Sequence, residues 1–231
     1  MTPEKYAAVI FDLFGTLIDN LLMREYEGIL AEMAAVLSAP PDAFVQWWSD
    51  TSYERNTGIL PSPEPCIRYI CQKLGVYPDD TQIRLASKLR FDYTRRCMVP
   101  RPDALEVLSH LKSNGYRTGL ISDCTAETPA IWPDTPFAPL IDVAVFSCQA
   151  GFKKPDPRIY HLALEQLAVE PQSCLYIGDG SSQELTGASQ VGMHPVLIRL
   201  DTDSTDAHLV NREQWDGPSV SSLRDVLMLV R

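Results

Sequence analysis

The chain reads as an α/β protein, a Rossmann-like parallel sheet with helices on both faces and an all-α cap insert. Three observations predict this class. Short apolar runs alternate with stretches of helical spacing at the start of the chain and again from about residue 99 onward. The runs are apolar throughout instead of apolar on every second residue, as strands covered on both faces should be. Residues 19–98 break the alternation, carrying helical spacing and no convincing strand.

Taken in order, the strands are expected at Ala7–Phe11, Thr118–Ile121, Val143–Phe146, Leu175–Ile177 and Val196–Leu200. Helices over Ala104–Asn114 and Pro157–Leu167 follow from their apolar rows. Leu105, Val107, Leu108 and Leu111 form the first, closed by Gly115; Ile159, Leu162, Ala163 and Leu167 form the second. Within the interruption, helical patterns cover Leu21–Leu37, Asp42–Trp48, Pro65–Leu74 and Thr81–Arg95, with proline-rich joints at Pro40–Pro41, Pro61–Pro65 and Val99–Pro102. The expected division is a core of residues 1–18 and 99–231 and a helical cap of residues 19–98, set over the carboxyl end of the sheet as a lid. The tail Asp201–Pro218, rich in Asp, Ser and Thr, reads as a loop ahead of a last short helix, Val220–Val230.

Composition narrows the function. A formal charge of −10, spread along the chain, argues against nucleic-acid and anionic-membrane partners, which are held by clustered Lys and Arg. The six cysteines (66, 71, 97, 124, 148 and 174) form no CxxC pair, and no basic-then-apolar leader or membrane-spanning run is seen, so a reduced cytoplasmic protein acting on a small molecule is expected. Cys66 and Cys71 read as small buried hydrophobes, and Cys124 as a lone buried thiol with no His near it in sequence.

In an open parallel sheet, ligands bind outside the carboxyl ends of the strands. The residues that follow each apolar run are Asp12, Gly15 and Thr16; Ser122 and Asp123; Lys153 and Lys154; and Asp179 and Glu184. Each alone has an ordinary explanation as a helix cap or a solvated charge. Together they place several carboxylates at one edge, where they repel one another unless a cation sits among them. Hard oxygen ligands, few of them from protein, suit Mg²⁺. Thr16 and Ser122 hydroxyls, backbone N–H groups near Phe14 and Gly15, and the Lys154 ammonium suit a phosphate, and Asp12 suits a nucleophile that forms an aspartyl-phosphate. Gly15 is expected where a ligand leaves no room for a Cβ.

The segments "FDLFGTL", "LISD", "KKPDPRIY" and "IGDGSSQELTGA" resemble, in order and spacing, the four motifs of the haloacid dehalogenase-like hydrolase superfamily. The resemblance implies strand order 5-4-1-2-3, a helical cap after the first motif and hydrolysis through an aspartyl intermediate. Its implied site has Asp12, Thr16, Ser122 and Lys154 in catalysis, Gly15 and Asp123 at the substrate, and Mg²⁺ held by Asp12, the main-chain carbonyl of Phe14, Asp179 and Glu184. One departure matters: phosphatases of the family carry an acid two residues after the nucleophile, and here Phe14 stands there. A general acid–base is worth about 10²- to 10⁴-fold, and Asp19 is a candidate replacement.

The readings that follow are a Mg²⁺-dependent phosphatase of a small phosphorylated metabolite with a stable leaving group, a 2-haloacid dehalogenase acting through an aspartyl ester, and a catalytically weak phosphate-binding protein. Halide leaves without a proton, so Phe14 is no handicap to the second, and Tyr160, Trp47, Trp48 and Tyr53 would suit its apolar pocket, with Arg24 or Arg55 at the substrate carboxylate. Asp179 favours the first, because dehalogenases of the family have no carboxylate there and need no metal.

Overall fold

The computed structural model describes residues 6–199 and 212–230. Its centre is a six-stranded parallel sheet. β1 (Ala8–Phe11) lies in the middle, flanked by β2 (Arg117–Ser122) and β4 (Cys174–Gly178); β3 (Val143–Phe146) lies outside β2, and β5 (His194–Ile198) outside β4. The order β3-β2-β1-β4-β5 is the implied one, continued by a sixth strand.

That strand, β6 (Ser219–Val220), replaces the expected start of a helix. The N–H of Leu197 donates to the Pro218 carbonyl and that of Arg199 to Val220, so the tail is stitched along the edge of β5. Two residues are too few to show a period. The helical part shrinks to a 3₁₀ turn at Leu223–Asp225 and α11 (Val226–Leu229), as numbered below. Residues 212–218 are irregular, while the rest of the expected loop, and Leu200 at the end of the fifth expected strand, lie outside the described residues.

Five helices stand between β1 and α6 (Ala104–Ser113): α1 (Met23–Val36), α2 (Pro41–Asp50), α3 (Ser52–Asn56), α4 (Pro63–Leu74) and α5 (Asp80–Cys97). Four were legible from spacing; α3, one and a half turns long, was not. Asp79 and Gln82 start α5 with a reciprocal capping box, each side chain accepting from the other residue's N–H. Apolar faces of these helices bury a core of their own around Met33, Phe44, Trp48, Ile67, Ile70 and Ile83. Trp48, expected near a pocket, is spent on that packing, with its indole N–H donating to Tyr26 Oη at 2.8 Å.

The remaining helices are α6 (Ala104–Ser113), α7 (Glu127–Ile131), α8 (Ser147–Ala150), α9 (Pro157–Leu167) and α10 (Glu184–Gln190), which with α11 cover the two sheet faces. One core joins α6, α11 and one face of the sheet; the other joins α9, α10 and the opposite face. The two chain passages joining β1, the helical insert and α6 run side by side. Ile18 bridges to both Phe14 and Pro100, and the N–H of Arg101 donates to the Leu17 carbonyl at 2.9 Å. Among the described residues no single helix is long and apolar enough to cross a membrane.

Candidate active site at the carboxyl end of the sheet

Asp12 follows the last residue of β1, where its backbone N–H still donates to the Ile177 carbonyl of β4. It is thereby carried to the same level as Asp179, which follows β4. Ser122 ends β2, and Lys154 arrives on the loop after β3 and α8. Glu184 opens α10. All five side chains are buried, as is Thr16.

The Lys154 ammonium is the hub. It donates to Asp12 Oδ1 at 2.5 Å and to Glu184 Oε2 at 2.6 Å, with the Tyr176 hydroxyl 3.4 Å away. Tyr176 also donates to Glu184 Oε2 at 2.8 Å, and Gly180 N–H to Glu184 Oε1 at 3.0 Å. Asp179 accepts from Asn20 Nδ2 and Ser181 N–H, each at 3.0 Å, and lies 3.4 Å from Arg212 Nη2. One oxygen each of Asp12, Asp179 and Glu184 can be chosen so that all three lie within 4.8 Å of one another.

Charge in this cluster does not balance locally. Among the described residues three carboxylates share one ammonium, with Arg212 Nη2 3.4 Å from Asp179 Oδ2. Burial pushes the Asp12 carboxyl up to about 6, and Asp179's charge adds to the rise while Lys154 opposes it. Burial likewise raises Glu184 well above the usual carboxylate range in spite of Lys154. Burial also acts against the Lys154 ammonium, but Asp12 and Glu184 outweigh it and keep it protonated. A divalent cation would supply the missing positive charge, and the donor set, hard oxygens at short separation, fits Mg²⁺. Two buried hydroxyls, Thr16 Oγ1 and Ser122 Oγ, have no hydrogen-bond partner among the described residues. Such groups are costly unless a ligand completes them.

At Gly15 there is no room for a Cβ, but it is side chains, not a ligand, that fill the space. Its φ is +83°, and a Cβ there would stand 2.3 Å from Asn20 Nδ2 and 2.4 Å from Asp179 Oδ2. Its N–H donates to the Ile18 carbonyl at 2.8 Å and is not available to an anion. The glycine makes room for Asp179. Asp123 accepts the Lys154 backbone N–H at 2.9 Å and faces Lys153 Nζ at 3.5 Å, so it fixes the loop that carries the lysine.

A cavity of about 190 Å³ opens between this edge and the helical insert. Asp12, Phe14, Asp123, Lys153, Lys154 and Ser181 line it from below, Tyr26, Arg55, Arg90 and Thr94 from the insert. Several expectations are corrected here. Asp19 does not line the cavity; its side chain is 84% exposed and held by Arg101 Nε at 2.8 Å. Trp47, Trp48, Tyr53, Tyr160 and Arg24 do not line it either, and Tyr160 is packed against Tyr176 beneath the site, donating to the Glu184 carbonyl at 2.9 Å. Cys124 is no lone thiol: it shares a hydrogen bond with Cys148, and burial pushes it well above the ordinary thiol range.

Asn20, Tyr176, Arg90 and Arg212 escaped the sequence reading. Tyr176 looks like one more apolar strand residue, although its position two residues before the strand's end placed its hydroxyl within reach of the site. Arg90 looks like a solvated charge on a helix. Asn20 and Arg212 gave no signal.

A family model described as haloacid dehalogenase-like hydrolase matches residues 6–192. The chain belongs to this family. A glyceraldehyde 3-phosphate phosphatase of Methanothermobacter thermautotrophicus is 28% identical over 134 residues, 55% of this chain and 58% of that one. An (S)-2-haloacid dehalogenase 4A of Burkholderia cepacia is 25% identical over 199 residues, 84% of each chain. The chain spans about half the length of several curated relatives it matches. Among solved structures, a HAD phosphatase from Thermococcus onnurineus superposes with a TM-score of 0.66 at 20% identity over 96% of both chains. Dehalogenase structures superpose with TM-scores of 0.61 and 0.62. Membership in this hydrolase family makes the chain an enzyme, and relatives of both chemistries stand at comparable distance.

Proposed function

We propose that this hydrolase is a Mg²⁺-dependent phosphatase of a small phosphorylated metabolite, working through an aspartyl-phosphate on Asp12 beneath a helical cap. The observation that carries the reading is Asp179. A third buried carboxylate beside Asp12 and Glu184 serves no purpose in displacing a halide, and near an anionic haloacid it would repel the substrate. Beside a phosphate it completes a cation site.

Asp12, Asp179, the main-chain carbonyl of Phe14 and Glu184 would hold the ion, Glu184 sharing its charge with Lys154. When bound, Mg²⁺ would neutralise phosphoryl oxygens and lower the Asp12 pKa. The chain's own residues do the rest. Lys154 holds Asp12 Oδ1 and faces the charge gathering on the phosphoryl group, while Thr16 and Ser122 donate their unpartnered hydroxyls to its oxygens. Attack by Asp12 forms the Asp–O–P bond as the bond from phosphorus to the leaving oxygen breaks. Water then cleaves the acyl phosphate, returning the carboxylate and inorganic phosphate.

Phe14 lines the cavity at the position where phosphatases of the family carry their proton donor, and Asp19 faces solvent. The departing oxygen therefore leaves with little protonic help, which fits an acyl, anomeric or aryl phosphate better than a simple alkyl one. Purified protein assayed with an aryl phosphate and with 2-chloropropionate, each with Mg²⁺ and with chelator, tests the reading. Chelator-sensitive phosphate release supports it. Metal-independent chloride release overturns it in favour of the dehalogenase, the alternative that Phe14 itself favours.

A further inference from the structure

The insert's wall of the cavity contains a second charge imbalance, opposite in sign to the first. Arg55 in α3 and Arg90 in α5 both line the cavity and are only 6% and 5% exposed. Arg55 donates from Nη1 to the Trp48 carbonyl and, at 2.6 Å, to Thr51 Oγ1, and its guanidinium lies 4.2 Å over the Trp48 ring. Arg90 donates from Nη1 to Thr94 Oγ1 at 2.7 Å, and its Nε is 3.3 Å from Glu127 of α7. Among the described residues Glu127 is the one carboxylate paired with either of them. Among the described residues Arg55 Nε has no hydrogen-bond partner, and Arg90 Nε has the 3.3 Å approach of Glu127 alone.

A guanidinium cannot shed its charge, and burying one without an anion is expensive. Two fixed forks facing one cavity, with a single carboxylate behind one of them, leave one positive charge to be met from the cavity side. On the opposite wall the two carboxylates that line the cavity already have donors of their own, Asp12 from Lys154 and Asp123 from Lys153 and the Lys154 backbone.

We propose that Arg55 and Arg90 form an anion subsite that binds a second acidic group, a carboxylate or phosphate, at the end of the substrate remote from Asp12. The substrate is then a short phosphorylated acid, bridging the core's anionic wall and the insert's cationic one. This deepens the phosphatase reading and rests on it for the identity of the reacting end. The planar forks match a carboxylate or phosphate in a way lysines would not.

The test uses non-hydrolysable ligands, so that it does not depend on turnover. Calorimetric titration of the whole protein in Mg²⁺ compares 3-phosphonopropionate with n-butylphosphonate, which has the reacting group but a neutral tail. The wild type should bind the first at least tenfold more tightly. Arg55→Met and Arg90→Met should each remove most of that preference while leaving the affinity for n-butylphosphonate within about twofold. Arg55→Lys and Arg90→Lys, which keep charge and stem and are milder to the fold, should reduce the preference at least threefold. Equal binding of the two ligands by the wild type overturns the subsite whatever the variants do. So does a preference that survives in all folded variants. A failure of Mg²⁺-dependent aryl phosphate hydrolysis would strike the phosphatase reading instead and leave this readout intact.

Discussion

The two walls of the cavity handle buried charge differently. On the sheet side, among the described residues, carboxylates outnumber their cations and are tied together: Lys154 bridges Asp12 and Glu184, and Tyr176 and Gly180 complete Glu184. On the insert side, two guanidinium groups outnumber one carboxylate and keep unpartnered donors. The difference teaches that a surplus of one sign, buried and shared across a network, is a statement about what binds. The two proposed ligands follow from it, a cation for the sheet side and an anion for the insert side.

Substitutions at the sheet side should have the largest effects. Asp12→Asn should lower turnover of an aryl phosphate by at least about 10³-fold, since among the described residues Asp12 is the one buried carboxylate that lines the cavity. Asp179→Asn should weaken Mg²⁺ binding at least tenfold and cut turnover by about 10²-fold at fixed Mg²⁺. Titration of activity against Mg²⁺ separates the two, and an unchanged Mg²⁺ midpoint would erase the contrast between the walls. Phe14→Asp should raise alkyl phosphate hydrolysis by roughly 10- to 100-fold, while aryl phosphate, which needs no proton, changes little.

Much of this geometry was legible in the sequence, and unevenly so. The strands β1 to β5 could be read because buried parallel strands are continuous apolar runs, and the carboxyl-edge rule then collected Asp12, Ser122, Lys154, Asp179 and Glu184 from four distant segments. The insert's wall could not be read. Arg90 sits in an ordinary charged helix, "TQIRLASKLRFDYTRRC", and nothing local distinguishes it from its solvated neighbours Arg84 and Arg95; it is buried because α5 packs against α7 and Glu127. Glu127 begins a five-residue helix too short to show a period. β6 escaped for the same reason.

Smaller effects probe the fit within the sheet side. Gly15→Ala should cost about 1–3 kcal/mol in thermal or denaturant unfolding, because φ is positive there and the new methyl group would overlap Asn20 and Asp179. Asp12 also sets a pH dependence for the metal-free protein. Its pKa in the fold is raised above the unfolded value, to about 6, so the native state holds the proton more tightly and its stabilising effect is present below about pH 4 and lost as pH rises toward 6. The melting temperature of Asp12→Asn relative to wild type should therefore rise between pH 4 and pH 7 in chelator, and saturating Mg²⁺ should shrink the difference by stabilising the wild type. A gap that narrows with pH in chelator would mean that Lys154 already neutralises Asp12 completely.

The pairing of Ile18 with Pro100, reinforced by Arg101 on Leu17 and Gly15, has an evolutionary reading. Entry and exit of the helical segment are held side by side, so its removal or exchange would leave two ends that a brief turn could rejoin, with the nucleophile's strand undisturbed. Such a joint would allow one helical module to be exchanged for another while β1 and the residues that follow it stay in place.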